Sequence, residues 1–229
     1  MSVRHHSEYM RIALQLAQQG RCTVSPNPMV GCVIVKNNQI IGEGFHSYSG
    51  GPHAEIMALQ QAGSNAQGAI AYITLEPCCH YGKTPPCTDA LLQAGITHIV
   101  VACLDPNPLV AGKGLQQLQS AGMHVELGVG EEEAKRLNEI FFHYIRNQRP
   151  FVIAKWAMSL DGKTVTQPHD TRDISCLASH QASHQIRQQV DAILIGANTA
   201  IHDDPLLTVR HTIDHAPLLK HPHLLYLIK

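Results

Sequence analysis

The sequence predicts an α/β fold: a partly parallel sheet with helices packed on its faces. Three observations carry this. Two β-branched runs flank Asn37-Asn38. Strand-length apolar runs then alternate with short, glycine-closed helical patterns. Finally, the same alternation restarts at Arg149-Pro150.

From Glu8 to Gln19, Tyr9, Ile12, Ala13, Leu16 and Ala17 recur at helical spacing, and Gly20 is a natural stop. "MVGCVIVKNNQIIGEGFH" reads as a hairpin, because two asparagines tolerate the positive φ of a tight turn. A loop, "SYSGGP", leads into a helix from Ala54 to about Ala62, ended by Gly63. "AIAYITL", "ITHIVVAC" and "HVELGV" read as strands, with helices "CTDALLQAG" and "GLQQLQSAG" between them. "GEEEAKRLNEIFFHYIRNQ" starts a helix with negative charge at the favourable end of its dipole.

Past the restart, "PFVIAKWAM" predicts a strand, "SLDGK" a turn and "HQASHQIRQQV" a helix. "DAILIGANTA" predicts a strand running into a loop, and "HLLYLIK" a strand in mid-fold. The expected domains are 1–147 and 148–229. The second, about 80 residues, is at the low end of what buries a core alone.

Composition narrows the class. The chain of 229 residues is 44% hydrophobic and 15% charged, with no apolar run long enough to span a bilayer and nothing at its start that reads as a signal peptide. A cytoplasmic protein is expected, so its seven cysteines read as thiols or metal ligands. A formal charge of −1 provides no overall positive field for nucleic acid. The sixteen histidines are mostly scattered, each a weak signal alone.

Two short stretches carry the chemistry. "HAE", at His53, Ala54 and Glu55, opens a helix; further on, Pro77-Cys78 begins "PCCHYGKTPPC", and Cys87 opens another helix. One imidazole and two thiolates suit zinc, and three protein ligands leave a position open for water, the mark of a catalytic site. Such a metal brings the pKa of its water down to about 7. Glu55, two positions from His53, can face that open position without binding the metal and can move protons there. H-x-E followed by P-C…C is the zinc nucleobase deaminase signature. Taken alone, Cys78 and Cys79 would suit ordinary buried cysteines. The conjunction of His, Glu and two cysteines at helix starts outweighs that reading. A closed structural site could draw on Cys79 or His80, but adjacent residues seldom both face one metal. Cys22, Cys32, Cys103 and Cys176 read as packing residues.

"SPNPMVGCVIV", "GFHSYSGGPHAE", "TLEPCCHYGKTPPCTDAL" and "DPNPLVAGKGL" together resemble the deaminase domain of the bifunctional riboflavin-biosynthesis deaminase/reductase family. The resemblance runs from Glu8 to about Asn147, and the long cysteine spacing belongs to that branch. It implies a cytidine-deaminase-like three-layer α/β/α domain. It also implies hydrolytic loss of the 2-amino group from 2,5-diamino-6-(5-phosphoribosylamino)pyrimidin-4(3H)-one, and a homo-oligomer. Matched motif by motif, Asn27, His46, Lys83, Asp105 and Asn107 become substrate contacts. Singly, Asn27, Asp105 and Asn107 would be turn residues.

"RPFVIAKWAMSLDGK" and "VDAILIGANTAIHDDPLLTVR" resemble the start of the family's reductase domain, which is dihydrofolate-reductase-like and uses NADPH. The match implies Ala157, Asp173, Thr199 and Asp203 near the cofactor, and Thr171, Arg187, Leu207 and Arg210 near the substrate. Asp173 stands where the family usually has tryptophan, an acidic residue that does not favour a 2′-phosphate. The family's reductase continues past residue 229 and carries its glycine-rich phosphate loop there, so this chain alone is expected not to reduce its substrate.

Two rivals share parts of this pattern. A deaminase acting on nucleic acid would need a basic, aromatic-studded track, whereas this chain has 17 Lys+Arg against 18 Asp+Glu and 5% aromatic residues. A zinc-stabilised binding module without catalysis would be indifferent to losing Glu55.

Overall fold

In a computed structural model, the structure describes residues 3–81, 85–108, 110–164, 174–210 and 223–227. The chain divides into two compact units, Met1–Phe151 and Val152–Lys229.

Unit 1 is built on a five-stranded sheet of order β2-β1-β3-β4-β5. Its elements in chain order are α1 (Val3–Gln18), β1 (Gly31–Lys36), β2 (Gln39–Phe45), α2 (Ala54–Ala62), β3 (Ile70–Ile73), α3 (Cys87–Gln93), β4 (His98–Val101), α4 (Lys113–Ser120), β5 (His124–Leu127), α5 (Glu131–Leu137) and α6 (Glu139–Asn147). β1 and β2 form the expected hairpin, and Asn37 and Asn38 both take positive φ, at 50° and 62°. β1 also pairs antiparallel with β3, whereas β3, β4 and β5 run parallel, as crossover helices require.

The sheet is covered on both faces, so its central strands read as continuous apolar runs. On one face Cys32, Ile34, Ala71, Ile73, Ile99 and Val101 pack against α2, α3 and α4 residues such as Ala58, Leu91 and Leu118. On the other, Val33, Val35, Tyr72 and Val100 meet Tyr9, Met10, Ala13 and Leu14 of α1, with Ala134 and Phe142. Glycines let the helices lie unusually close. A Cβ on Gly31 would sit 2.0 Å from the Ala13 carbonyl oxygen; on Gly42 and Gly44 it would meet those of Ala58 and Ala54 at 2.2 and 2.4 Å.

The single acidic helix expected after the fifth strand is two helices, broken at Asn138. Its side chain bonds both the N–H and the carbonyl of Met29, each at 2.8 Å. That buried cross-link outweighs helical continuity.

Unit 2 contains α7 (Leu177–Gln189), β6 (Ala192–Gly196), α8 (Ala197–Asp203) and β7 (His223–Leu227). β6 and β7 form a parallel pair. Two expectations change here. Residues 151–159 have no strand partner among the described residues, and Val152 and Trp156 are 83% and 64% exposed. The β-branched run thus satisfies strand propensity without a ladder to join. The segment after β6 is a helix, α8, rather than a loop. No helix among the described residues is long and apolar enough to cross a membrane.

Candidate metal centre and substrate cleft

The cleft lies where β3 and β4 end, outside their carboxyl ends. His53 occupies the N-cap of α2 in an extended conformation, φ −74° and ψ 160°, and its side chain makes no capping hydrogen bond to the helix. Glu55 follows in the first turn and is 3% exposed. Both residues sit at the end of a helix that lies close against β2, where a Cβ on Gly42 or Gly44 would meet the carbonyl oxygens of Ala58 and Ala54.

Cys78 follows β3, and Cys87 opens α3 behind Pro86. The Cys87 N–H donates to Cys78 Sγ at 3.3 Å, and the Thr88 N–H to the Cys78 carbonyl at 3.2 Å. His53 Nδ1 faces both sulfurs, 3.2 Å from Cys87 and 3.6 Å from Cys78. Their donor atoms all lie within 4.8 Å of one another. Tetrahedral zinc with ordinary bond lengths separates nitrogen and sulfur donors by about 3.6 Å, so the group fits that ion. Neither Cys79 nor His80 belongs to it.

The electrostatics agree with a nitrogen–thiolate donor set. Hydrogen bonding from Cys87 holds the Cys78 thiol well below its ordinary value, and the same interaction, with burial, pushes Cys87 up. The first proton leaves Cys78. His53 is raised, chiefly by its bond to Cys78. Burial lifts the Glu55 carboxyl to about 7, against the opposing pull of His53.

The cleft, about 220 Å³, is lined by Asn27, His46, His53, Glu55, Cys78, Asp105 and Asn107, among others. The structure therefore brings four of the five expected substrate contacts together with the donor group and Glu55. Lys83 lies outside the described residues. His46 Nδ1 is 3.0 Å from the Pro52 carbonyl, which can only accept, so Nδ1 carries the proton. Its Nε2 then accepts from the Asn27 amide nitrogen at 3.1 Å, which fixes the orientation of that amide. Burial holds His46 below its ordinary value, so the neutral tautomer dominates. Asp105 is both a cleft residue and a turn residue: its carboxylate accepts the Asn107 N–H at 2.8 Å, and burial raises it to about 6.

Sequence reasoning missed Glu76. This carboxylate is 4% exposed and accepts from the N–H groups of Asp105, Gly112, Gly114 and Leu115 at 3.2, 2.8, 3.0 and 3.4 Å. It ties the loop bearing Asp105 and Asn107, and the start of α4, to the strand end that precedes Cys78. The signal was present in "LEPC" and in the glycines of "VAGKGL", but nothing local joins the two. Of the other cysteines, Cys32 and Cys103 are buried and Cys22 half-buried, whereas Cys176 is exposed at the N-cap of α7 and is not a packing residue.

In unit 2, Arg187 Nη1 donates to the Thr208 carbonyl at 3.3 Å and Arg210 Nη1 to Thr208 Oγ1 at 3.1 Å. Both guanidiniums thus converge on one residue. Burial, then the nearby Arg210, depresses Arg187. Leu207 is 7% exposed with a positive φ of 51°, Thr199 and Asp203 lie in α8, and Ala157 lies in the unpaired 151–159 segment. Asp173 and Thr171 lie outside the described residues.

Two family models match the chain: the cytidine and deoxycytidylate deaminase zinc-binding region over residues 3–103, and the RibD C-terminal domain over residues 150–223. Riboflavin biosynthesis protein RibD of Aquifex aeolicus is 52% identical over 202 residues, covering 88% of this chain and 57% of its own. That of Escherichia coli is 48% identical, covering 88% and 55%. The chain thus spans a little over half the length of these curated relatives. Among solved structures, Acinetobacter baumannii RibD superposes with a TM-score of 0.91 at 46% identity, over 98% of this chain and 64% of that one. A diaminohydroxyphosphoribosylaminopyrimidine deaminase/5-amino-6-(5-phosphoribosylamino)uracil reductase from Thermotoga maritima does so at 0.89 and 41%, over 97% and 63%.

Proposed function

The chain belongs to the RibD family over the span it covers, and from that premise we propose that unit 1 is a zinc-dependent deaminase of riboflavin biosynthesis. Its substrate would be 2,5-diamino-6-(5-phosphoribosylamino)pyrimidin-4(3H)-one, converted with release of ammonia to 5-amino-6-(5-phosphoribosylamino)uracil. The observation that carries the reading is a buried carboxylate, Glu55, at the edge of a His53–Cys78–Cys87 donor group within one cleft.

His53, Cys78 and Cys87 would hold the zinc, which when bound lowers the pKa of a water to about 7. Glu55 holds or releases a proton near neutral pH, as a group shuttling one from water to a leaving amine requires. Asn27, held by neutral His46, keeps Oδ1 as an acceptor for a pyrimidine N–H. Asp105 and Asn107 offer further polar contacts, and Lys83 would meet the phosphate.

For unit 2 the reading is part of an NADPH-dependent reductase. Ala157, Asp173, Thr199 and Asp203 would lie near the cofactor, and Thr171, Arg187, Leu207 and Arg210 near the ribotide. The convergence of two arginines on Thr208 supports a phosphate there. A cytoplasmic homo-oligomer completes the proposal.

The test is ammonia release from the diaminopyrimidinone ribotide by zinc-loaded protein, beside Glu55→Gln and a chelated sample. Glu55→Gln should keep its zinc and lose at least about 10²-fold in rate. An active Glu55→Gln, or a folded, zinc-bound wild type that releases no ammonia, would overturn the reading.

A further inference from the structure

Three histidines and a glutamate meet at the other end of the sheet, where β4 and β5 begin. His98 and His124 are register partners on these strands and project from one face. Glu126, two residues beyond His124, projects from the same face. Helix α1 packs on that face and brings His6 to it; His6 is 7% exposed. The Nε2 atoms of His6 and His98 stand 4.0 and 3.8 Å from a single oxygen, Glu126 Oε2. The His98 ring lies 5.8 Å from that of His6 and 4.4 Å from that of His124, between centroids.

These contacts leave the polar atoms poorly satisfied. Both distances to Glu126 are too long for hydrogen bonds. His98 Nε2 is shut off from solvent and has no hydrogen-bond partner among the described residues. Native structures rarely leave a buried nitrogen in that state without a water, an ion or a functional reason. Protonation is a poor remedy, because burial and the two neighbouring imidazoles hold His98 below its ordinary value.

A metal ion would satisfy all of them. Two imidazole nitrogens and a carboxylate oxygen form a known zinc donor set, and in a tetrahedral site such donors lie about 3.4 Å apart. The two nitrogen–oxygen separations are near that value, whereas the Nε2 atoms of His6 and His98 stand more than 4.8 Å apart, so one imidazole must turn about its side-chain bonds to close the site. Tyr72 Oη is 3.0 Å from His6 Nδ1 and supplies the outer hydrogen bond that metal-binding imidazoles have. The amino-terminal dipole of α1 opposes a cation, and the Glu126 carboxylate offsets it.

We infer that His6, His98 and Glu126 bind a second divalent transition-metal ion, Zn2+ or a close neighbour, with the exposed His124 at its rim. The ion would clamp α1 onto β4 and β5. This inference is independent of the deaminase reading, because the donors of that cleft follow the opposite ends of the strands.

The test is equilibrium dialysis of the chelator-stripped full chain against Zn2+, with Co2+ spectroscopy beside it. The wild type should take two equivalents, whereas Glu126→Gln and His98→Gln take one. With Co2+, the thiolate site gives a sulfur-to-metal charge-transfer band in the near ultraviolet, and the second equivalent adds only visible absorption. Loss of the near-ultraviolet band would count against the cysteine site alone. A wild type without a second equivalent, or a second equivalent surviving both substitutions in folded protein, would overturn the inference.

Discussion

Gly114 and Glu76 are fitted to each other. The Gly114 N–H donates to Glu76 Oε1 at 3.0 Å, and a Cβ on Gly114 would sit 3.2 Å from that oxygen and 2.3 Å from the Pro77 carbonyl. Only glycine lets the start of α4 approach the strand end that carries Cys78. Gly114→Ala should cost about 1–3 kcal/mol through overpacking. Urea denaturation of the wild type and the variant, at fixed zinc, checks this; an unchanged midpoint would mean that the helix simply slides.

Glu76→Gln should be at least as harmful. Its carboxylate accepts four backbone N–H groups, and an amide turns part of that acceptor into a donor. Hydrogen bonds to charged groups contribute about 1.5–3 kcal/mol. Because the same bonds hold the Asp105 loop, KM for the proposed ribotide substrate should rise more than kcat falls. A variant destabilised without any change in KM would show that the loop keeps its place by other contacts.

Gly44→Ala tests whether the seating of α2 sets the position of Glu55. The added Cβ meets the Ala54 carbonyl oxygen at 2.4 Å and the Ala58 nitrogen at 2.6 Å, so the helix must lift. Residues flanking Ala54 on both sides would move with it, and a misplacement near 1 Å costs about 10²-fold in rate. Steady-state rates at a temperature where the variant is fully folded separate this from lost stability.

Chelation should destabilise unit 1, since metal bound only by the folded state adds about 2.7 kcal/mol at a hundred times its dissociation constant. In Cys87→Ala the chelator effect should shrink to the part due to the second ion, and it should vanish when Glu126→Gln is added. An undiminished effect in Cys87→Ala would mean that the cysteine site contributes no stability.

Acid should weaken the metal-free protein through His98. Its folded pKa lies below the ordinary value, chiefly by burial, so the unfolded chain binds more protons in that window. Stability is then whole above about pH 6.5 and falls as pH drops through the ordinary histidine range toward the folded value. Because Glu126 is the one neighbour that raises His98, Glu126→Gln should steepen the decline. His98→Gln should flatten it. Melting curves between pH 7.5 and 5.5 in chelator decide the matter.

How much of this was legible depended on sequence distance. Asn37-Asn38 announced the hairpin, and His53, Cys78 and Cys87 announced the donor group with Glu55 beside it, because each signal is confined to a short motif. The partners of Glu76 lie some thirty to forty residues downstream, and a glutamate in a loop carries no mark of what will converge on it. His6, His98 and His124 were indistinguishable from scattered surface histidines until the strand register brought them together. The 151–159 run failed for the opposite reason, since β propensity is visible in sequence but the presence of a pairing partner is not.

The hairpin of β1 and β2 is a local structure, able to form within about 1–10 μs. The donor group is not local: it needs β3 beside β1, α2 seated on the glycines of β2, and α3 begun. Zinc therefore has little to hold in a half-folded chain. Its capture should come late, as a lock on finished topology rather than a nucleus for it. In a stopped-flow refolding trace, the cobalt–thiolate band would then appear after the burial of Tyr72, serving as a clock for the final docking step.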